Sequence, residues 1–267
     1  MYILMYILVY VSVILIIGVC SDGFDNHRHV RHPASNSLSP SDVILELGQH
    51  SIQSEQWNYL RLARYWPQSF CLQARMHVPT ISCTVPDFVH DFTVHGLWPT
   101  LNTTFGGLSF CNNSWPFNTS TLQSLVPLMT KLWPPLWNNY SLWGHEWSKH
   151  GTCALDLPAL HGEYRFFAHT LGLHLRYNIT RYLSQSNIRP SETQMFSYSS
   201  LVGAIWNRIY FIPWVQCIPS KSPRYQLLFQ VVLCFDKQLQ LIDCESVTYF
   251  ICDPDQPIQI PPINHPD

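Results

Sequence analysis

Charged side chains are scarce in this chain. They make up 12% of the residues, against a typical value of about 25%. The formal net charge is −2 at pH 7 with neutral histidines, which argues against a broad basic surface that grips nucleic acid by charge alone. Thirteen histidines are present, and protonating all of them would bring the net charge to +11. Attraction to phosphate would therefore strengthen in an acidic compartment.

The spacings that would indicate a metal site are also missing. No two cysteines have the C-x₂₋₄-C spacing of a zinc knuckle. Zinc-protease helices carry two histidines at i and i+4, whereas His145 and His150 stand at i and i+5. On a helix that spacing turns the two rings about 140° apart instead of about 40°. The histidines among residues 27–32 resemble a metal tract, but we interpret them as part of a solvated extension.

The most informative segment is residues 143–151, Trp-Gly-His-Glu-Trp-Ser-Lys-His-Gly. If it is helical, an advance of about 100° per residue places four chemistry-bearing side chains on one face. These are His145, Glu146, Lys149 and His150. Trp147 would point away and anchor the helix in a core. Gly151 would end the helix in a left-handed conformation, which glycine adopts without a Cβ penalty.

A third imidazole lies in residues 92–99, Phe-Thr-Val-His-Gly-Leu-Trp-Pro. This segment predicts the end of a strand, with Phe92 and Val94 on one side and Thr93 and His95 on the other. Gly96 is expected to interrupt the strand pairing. Together the two segments predict an acid–base site for a phosphodiester.

The organisation of the chain indicates one secreted domain. Residues 1–19 form an apolar run without charge, which fits either a signal peptide or a short membrane anchor. Cleavage after Cys20 would leave eight cysteines instead of nine, and this favours a signal peptide over residues 1–20 although a basic n-region is missing. Residues 21–56 are predicted to be a loose extension, residues 57–252 the catalytic domain, and residues 253–267 a proline-rich tail.

Within that domain the patterns predict an α+β fold, in which helices pack on a mainly antiparallel sheet. Strands are expected at residues 59–66, 225–235 and 238–242. Helices are expected near residues 159–183 and 200–210. A further helix would start at a capping box formed by Ser120 and Gln123 and carry an apolar stripe as far as Trp133, interrupted by Pro127.

The two His-bearing segments resemble those of the ribonuclease T2 family, the acid-active, metal-independent endoribonucleases of secretory compartments. The hallmark segments are present as residues 95–99, His-Gly-Leu-Trp-Pro, and residues 145–151, His-Glu-Trp-Ser-Lys-His-Gly. The resemblance runs from about Trp57 to Cys252 and includes Tyr65-Trp66-Pro67 near its start. Gly144 and Ser148 replace charged side chains of many relatives, but the family does not use these positions for chemistry.

The resemblance implies a reaction that the residues can perform. RNA cleavage without a metal needs a base for the 2′-hydroxyl, an acid for the 5′-oxygen and cations for the charge on phosphorus. By resemblance, His150 is the general base and His95 the general acid, while His145 binds phosphate. Glu146 and Lys149 would stabilise the transition state, and Glu146 is also a candidate to orient a neighbouring imidazole.

Further expectations follow from the same resemblance. The disulfides would be Cys71–Cys83, Cys111–Cys153, Cys217–Cys252 and Cys234–Cys244. The partner would be single-stranded RNA, bound by a monomer without metal, cofactor or lasting membrane attachment, in the lysosomal lumen or outside the cell. Trp98 is either a stacking surface for a base or a core anchor, and the sequence supports both interpretations equally.

Five Asn-x-Ser/Thr sequons mark candidate glycosylation sites on surface loops. They start at Asn102, Asn112, Asn118, Asn139 and Asn178. A protein of another class would also fit these features, namely a secreted glycoprotein that binds a receptor or glycan on the same scaffold. The presence of every acid–base residue favours the enzyme.

Overall fold

A computed structural model describes residues 57–102, 108–137, 141–244 and 251–265, all of which fall in the unit Gln53–Asp267. The predicted signal peptide, the predicted extension and the sequon at Asn139 lie outside the described residues. Within the described ranges, no helix is both long and apolar enough to cross a membrane.

The described strands form one seven-stranded sheet with the order β2-β1-β5-β7-β3, and β4 and β6 also pair with β5. The strands are β1 Tyr59–Tyr65, β2 Thr93–Thr100, β3 Met195–Phe196, β4 Trp214–Pro219, β5 Gln226–Phe235, β6 Leu241–Ile242 and β7 Ile258–Gln259. Neighbouring strands run antiparallel except β5 and β7, which are parallel. The predicted α+β class with a mainly antiparallel sheet is confirmed.

The centre of the sheet is β5, whose ten residues are all buried. Its near-continuous apolar sequence is typical of a strand covered on both faces. The alternation of side chains along β1 separates these faces: Leu60 and Leu62 join the main core, whereas Tyr59 and Ala63 join a second cluster with Trp214. The main core lies under the helices, and we call that side of the sheet the helix face.

Six α-helices accompany the sheet in the described ranges. They are α1 Pro67–His77, α2 Val126–Leu132, α3 Leu142–Lys149, α4 Glu163–Arg176, α5 Ile179–Gln185 and α6 Tyr198–Ile209. From α4, Phe166, Phe167 and Leu171 pack into the main core with exposures of 0–1%. The predicted helix near residues 200–210 is confirmed as α6.

Two helix predictions need correction at their boundaries. The region 159–183 holds two α-helices, because Asn178 accepts a hydrogen bond from the Arg181 amide at 2.8 Å and so caps a new helix, α5. The capping box at Ser120 is wrong, since Asn118 caps a 3-10 turn over Thr119–Leu122 instead. The α-helix starts later, at Val126, with a proline in its first turn, where a missing N–H costs no intrahelical bond.

The prediction that residues 253–267 form a tail is also wrong. Ile258 and Gln259 form β7, which pairs with both β5 and β3. Ile258 and Ile260 are buried in the main core, and the Trp66 indole donates a hydrogen bond to the Pro261 carbonyl at 2.7 Å. The prolines made this segment resemble a tail. A proline outside the paired positions removes no ladder hydrogen bond, however, so the segment can still form a strand.

Four disulfides form with the pairing that the family resemblance implies: Cys71–Cys83, Cys111–Cys153, Cys217–Cys252 and Cys234–Cys244. The last one bridges the hairpin between β5 and β6. Cys153 lies in the 3-10 turn Gly151–Ala154 directly after α3, so the bond to Cys111 fixes the end of that helix to the loop that follows β2.

Candidate active site

Helix α3 presents the predicted residues as the periodicity requires. Trp147, which the periodicity places away from the face of the four chemistry-bearing residues, is 0% exposed. It contacts the rings of Trp115 and Phe166. Glu146 is buried, while His145 and Lys149 are half-buried. The helix ends at Lys149, and His150 is its C-cap.

Gly151 has a different purpose from the one predicted. The only described glycine with a positive φ is Gly162, so Gly151 does not end the helix in the left-handed region. A Cβ at this position would overlap the Trp147 ring. The glycine therefore lets the chain turn tightly past the tryptophan that anchors α3.

His95 is the extra residue of a β-bulge. In the pairing of β2 with β1, Gly96 lies opposite Ala63 and Val94 opposite Arg64, and the register shifts between them. A bulge re-aims a side chain without ending the strand, and β2 continues to Thr100. The expectation that Gly96 interrupts the pairing is therefore wrong.

Gly96 is instead needed for close packing. A Cβ here would overlap both the Glu146 carboxylate and the Trp98 indole nitrogen. These two groups meet directly above the glycine, because the Trp98 Nε1–H donates to Glu146 Oε2 at 2.9 Å. The absence of a side chain thus allows β2 and α3 to share this hydrogen bond.

Both ring nitrogens of His95 have partners. Nδ1 lies 2.7 Å from Gln230 Oε1, and Nε2 lies 2.7 Å from the Tyr65 hydroxyl. The Gln230 amide nitrogen donates to Gln216 Oε1, which leaves Gln230 Oε1 as an acceptor. His95 Nδ1 therefore carries the proton in the neutral ring, and Nε2 accepts from Tyr65.

His150 is oriented by a backbone group. Its Nδ1 lies 3.1 Å from the Leu108 carbonyl oxygen, and a carbonyl can only accept. Nδ1 therefore carries the proton, and the neutral ring has an unprotonated Nε2. Such a nitrogen is the form that a general base requires.

The Trp98 ring lies beside both imidazoles. Its centroid is 4.7 Å from the ring of His95, edge to face, and 5.5 Å from the ring of His150. Trp98 is half-buried and packs against the second apolar cluster. The tryptophan thus anchors the strand end and also forms a wall of the site.

Burial changes the pKa values of the site in opposite directions. It lowers the pKa of His95 to about 3, the pKa of His150 well below its usual value of 6.5 and the pKa of His145. The positive charge of Lys149 lowers all three further. Burial raises the pKa of Glu146 to about 8, with opposing contributions from Trp98 and Lys149. Strong, opposite shifts within one cluster are characteristic of catalytic sites.

The structure brings all six predicted residues together, namely His95, Trp98, His145, Glu146, Lys149 and His150. Sequence reasoning missed the groups that orient the imidazoles: Gln230, the Leu108 carbonyl and the Tyr65 hydroxyl. Gln230 had a detectable signal, since it is a polar residue inside the apolar run of β5. Within the described parts of the chain, no group of three or more His, Cys, Asp or Glu could hold a metal ion.

Of the sequons, Asn102, Asn118 and Asn178 are exposed and Asn112 is half-buried. Asn118 and Asn178 use their side-chain oxygens to cap helical turns. Asn112 accepts hydrogen bonds from Ser114 through the same atom. All four positions lie at the surface, as expected for sites of glycan attachment.

The chain is similar to known proteins over most of its described residues. The model of the ribonuclease T2 family matches residues 57–244. Ribonuclease Oy of Magallana gigas is 36% identical over 216 residues, covering 79% of this chain and 99% of that protein. Ribonuclease T2 of Sus scrofa is 35% identical over 213 residues, covering 78% and 98%. The crystal structure of RNase NT in complex with 5′-AMP superposes with a TM-score of 0.67 at 26% identity and covers 78% of this chain and 100% of that one.

The fold and the relatives define an endoribonuclease. The chain belongs to the ribonuclease T2 family.

Proposed function

We propose that the chain cleaves single-stranded RNA by transesterification. The 2′-hydroxyl attacks the adjacent phosphorus, the 5′-oxygen of the next nucleotide leaves, and a 2′,3′-cyclic phosphate forms. Water then opens this ring to a 3′-phosphate. The observation that carries the proposal is the pair of imidazoles flanking Trp98, each with its Nδ1 proton fixed by a separate acceptor.

In this mechanism His150 is the general base. Because Leu108 holds the proton on Nδ1, Nε2 is free to remove the proton of the 2′-hydroxyl. The lowered pKa of His150 keeps the ring neutral in mildly acidic solution, where an ordinary imidazole would be largely protonated. The base is therefore available at a lower pH than an ordinary imidazole would be.

His95 is the general acid and delivers a proton from Nε2 to the departing 5′-oxygen. Its pKa of about 3 leaves the ring mostly neutral above that pH. A bound phosphodiester brings a negative charge next to the ring, which raises the pKa and loads the acid when substrate is present. Gln230 fixes Nδ1–H, so that the added proton must sit on Nε2, beside Tyr65.

The remaining site residues neutralise the pentacoordinate phosphorus. Lys149 supplies positive charge to its oxygens, and the His145 ring donates a hydrogen bond to the phosphate. Glu146, with its pKa near 8, is protonated at acidic pH, so it adds no negative charge and can donate a hydrogen bond to an oxygen. Trp98 offers an aromatic plane to a base, and the complex of the similar RNase NT with 5′-AMP supports nucleotide binding at this fold.

We further propose that the enzyme needs no metal or cofactor and acts as a monomer in the lysosomal lumen or outside the cell. Four disulfides require an oxidising compartment, and the apolar run at residues 1–19 would direct the chain there. No step of the mechanism above requires a Lewis acid, because His95, His150 and Lys149 supply the proton transfers and the charge.

The test is product analysis on matched oligonucleotides with and without excess EDTA. RNA should yield 2′,3′-cyclic phosphate ends first and 3′-phosphate ends later, equally fast in EDTA. The control is the same sequence with a 2′-O-methyl group at the cleavage position, which has no nucleophile and should stay intact. Cleavage of the control, or activity that EDTA removes and zinc restores, would overturn the mechanism.

The pH dependence gives a second measurement. kcat/KM should be bell-shaped with its maximum on the acid side of neutrality, because one ring must be protonated and the other neutral. The limbs of kcat should lie at higher pH than those of kcat/KM, because bound phosphate raises the pKa values of both imidazoles. Identical limbs in the two profiles would contradict the substrate-loaded acid.

A further inference from the structure

A cavity of about 280 Å³ lies on the helix face of the sheet, away from His95. Successive residues of a strand point to opposite faces. Tyr65 contacts His95 on the active-site side, whereas the preceding residue, Arg64, lines the cavity. Helices α4 and α5 contribute His174 and Thr180 to the same lining.

Arg64 is an unusual residue for such a position. It is 0% exposed, and its Nε, Nη1 and Nη2 find no acceptor among the described residues. Burial lowers its pKa to about 9, so the guanidinium remains positively charged at acidic and neutral pH. A buried, unpaired ion costs several kcal/mol, and a partner that restores hydrogen bonds and charge balance would offset this cost.

Two further polar atoms in the cavity share this condition. Within the described structure, Nδ1 of His174 and Oγ1 of Thr180 are buried without hydrogen-bond partners. Burial and the charge of Arg64 lower the pKa of His174 to about 3, so this imidazole is neutral at mildly acidic pH and can donate one hydrogen bond. Five unsatisfied atoms on three residues thus line one space.

The charges around the cavity favour an anion. Lys131 and His90 line it as exposed residues, and Asp91 is its one carboxylate. Asp91 forms no ion pair with Arg64 within 4.0 Å. The remaining walls are largely apolar, including Phe88, Phe92 and Leu175.

We propose that this cavity binds a phosphate group, either the inorganic ion or the monoester of a small molecule, with Arg64 as its counter-ion and His174 and Thr180 as additional donors. A tetrahedral oxyanion accepts hydrogen bonds in several directions, which suits five donor atoms better than a planar carboxylate does. Arginine is the side chain best matched to phosphate geometry. The volume exceeds that of one ion and approaches the lower end of small-molecule pockets, which leaves room for an apolar substituent.

The experiment is calorimetric titration with inorganic phosphate, at ionic strength held constant with chloride. The active site also attracts phosphate, so the titrations use the Lys149→Ala protein and the same protein with Arg64→Met added. We expect one remaining site in the first protein and at least a roughly tenfold loss of affinity in the second, because charge-assisted hydrogen bonds are removed. Equal phosphate binding by the two proteins, or no binding by either, would overturn the proposal and indicate a water-filled cavity.

Phenyl phosphate, titrated in parallel, distinguishes the two sources. Tighter binding than inorganic phosphate identifies a monoester site, whereas weaker or equal binding identifies an ion site. Should Arg64→Met fail to fold, Thr180→Val and His174→Ala in the Lys149→Ala background remain as tests, each expected to weaken phosphate binding. His169→Ala is the matched control on α4, because His169 is exposed and bonds to the Arg165 carbonyl. In an otherwise unaltered enzyme, Arg64→Met should leave RNA cleavage within about twofold, since the Arg64 side chain lines the cavity on the other side of the sheet from the Tyr65–His95 contact.

Discussion

Two buried histidines, His95 in β2 and His174 in α4, lie on opposite sides of the same sheet. Burial lowers the pKa of each to about 3. His95 has a partner on both ring nitrogens, whereas Nδ1 of His174 is buried without one. A shifted pKa alone therefore does not distinguish His95, the proposed general acid, from His174. The hydrogen bonds of His95 do distinguish them, because proton transfer requires that one ring nitrogen be held in a defined protonation state and orientation.

The largest expected effect separates these two histidines. His95→Ala and His150→Ala should each lower kcat/KM for RNA by about 10²–10⁴-fold, the contribution of one positioned acid or base. His174→Ala should remain close to the unaltered enzyme. The measurement is steady-state cleavage of an RNA oligonucleotide, with circular dichroism to show that each variant is folded. A His174→Ala loss as large as that of His95→Ala would remove the distinction between the two faces.

The next effect concerns the buried carboxyl of the active site. The pKa of Glu146 is raised from 4.5 to about 8, so the folded protein binds more protons than the unfolded one between these values, and this group makes stability fall as pH rises through that window. Glu146→Gln should therefore increase the free energy of unfolding at pH 7, on the order of 2 kcal/mol, and have little effect at pH 4. Urea unfolding at both pH values measures this, and an equal change at the two would contradict the assigned shift.

A smaller effect, on the free energy of unfolding, is expected when either of the two buried arginines of β1 is replaced by methionine. Arg61 donates to the Tyr59 hydroxyl and stacks on the rings of Tyr59 and Trp214, whereas Arg64 has no such partner. In phosphate-free buffer, Arg64→Met should raise the free energy of unfolding by about 1–2 kcal/mol, because an unpaired buried ion is replaced by an apolar chain. Arg61→Met should lower it by a similar amount, about 1–2 kcal/mol. Changes of the same sign in both variants would contradict the comparison.

The smallest effect tests how His95 is positioned. Gln230 raises the pKa of His95 through its hydrogen bond, so Gln230→Met should lower that pKa and move the alkaline limb of kcat/KM to lower pH. The expected loss of rate near pH 5 is about 2–10-fold, the value of one neutral hydrogen bond. Gln226→Met is the matched control, because Gln226 is also a buried glutamine of β5 but bonds to Asp253 and Gln256. A loss of rate without a shift of the limb would reduce Gln230 to a structural residue.

The sequence predicted the residues of the site more accurately than the helix boundaries and strand pairings around them. The 100° periodicity placed Glu146 and Trp147 on different faces of α3, and this is confirmed because Glu146 contacts Trp98 while Trp147 is buried against Trp115. The helical periodicity alone could not show whether His150 belongs to the helix or follows it, since helix boundaries depend on tertiary packing. The bulge at His95 was also hidden, because it depends on the register of a strand thirty residues earlier.

Groups that act through the backbone or across the sheet were the ones missed. The Leu108 carbonyl carries no sequence signal at all, since every residue has one. Gln230 lies 135 residues from His95, and the pairing of β1 with both β2 and β5 brings them together. The tail prediction failed for a related reason, because the two-residue strand Ile258–Gln259 is defined by its pairing with β3 and β5 and is too short for a periodic sequence pattern.

The position of β7 has a consequence for biogenesis. The sheet is complete only when Ile258 pairs with β3 and β5. The Cys217–Cys252 disulfide likewise needs a residue close to the end of the described chain. During synthesis domains fold as units once their residues are available, so a nascent chain whose residue 260 is still inside the ribosomal tunnel cannot complete this sheet. The segments that contain His95 and His150 are synthesised more than 100 residues earlier, and they remain in an incompletely folded domain until then. Activity should therefore appear only after β7 has left the ribosomal tunnel and paired with β3 and β5.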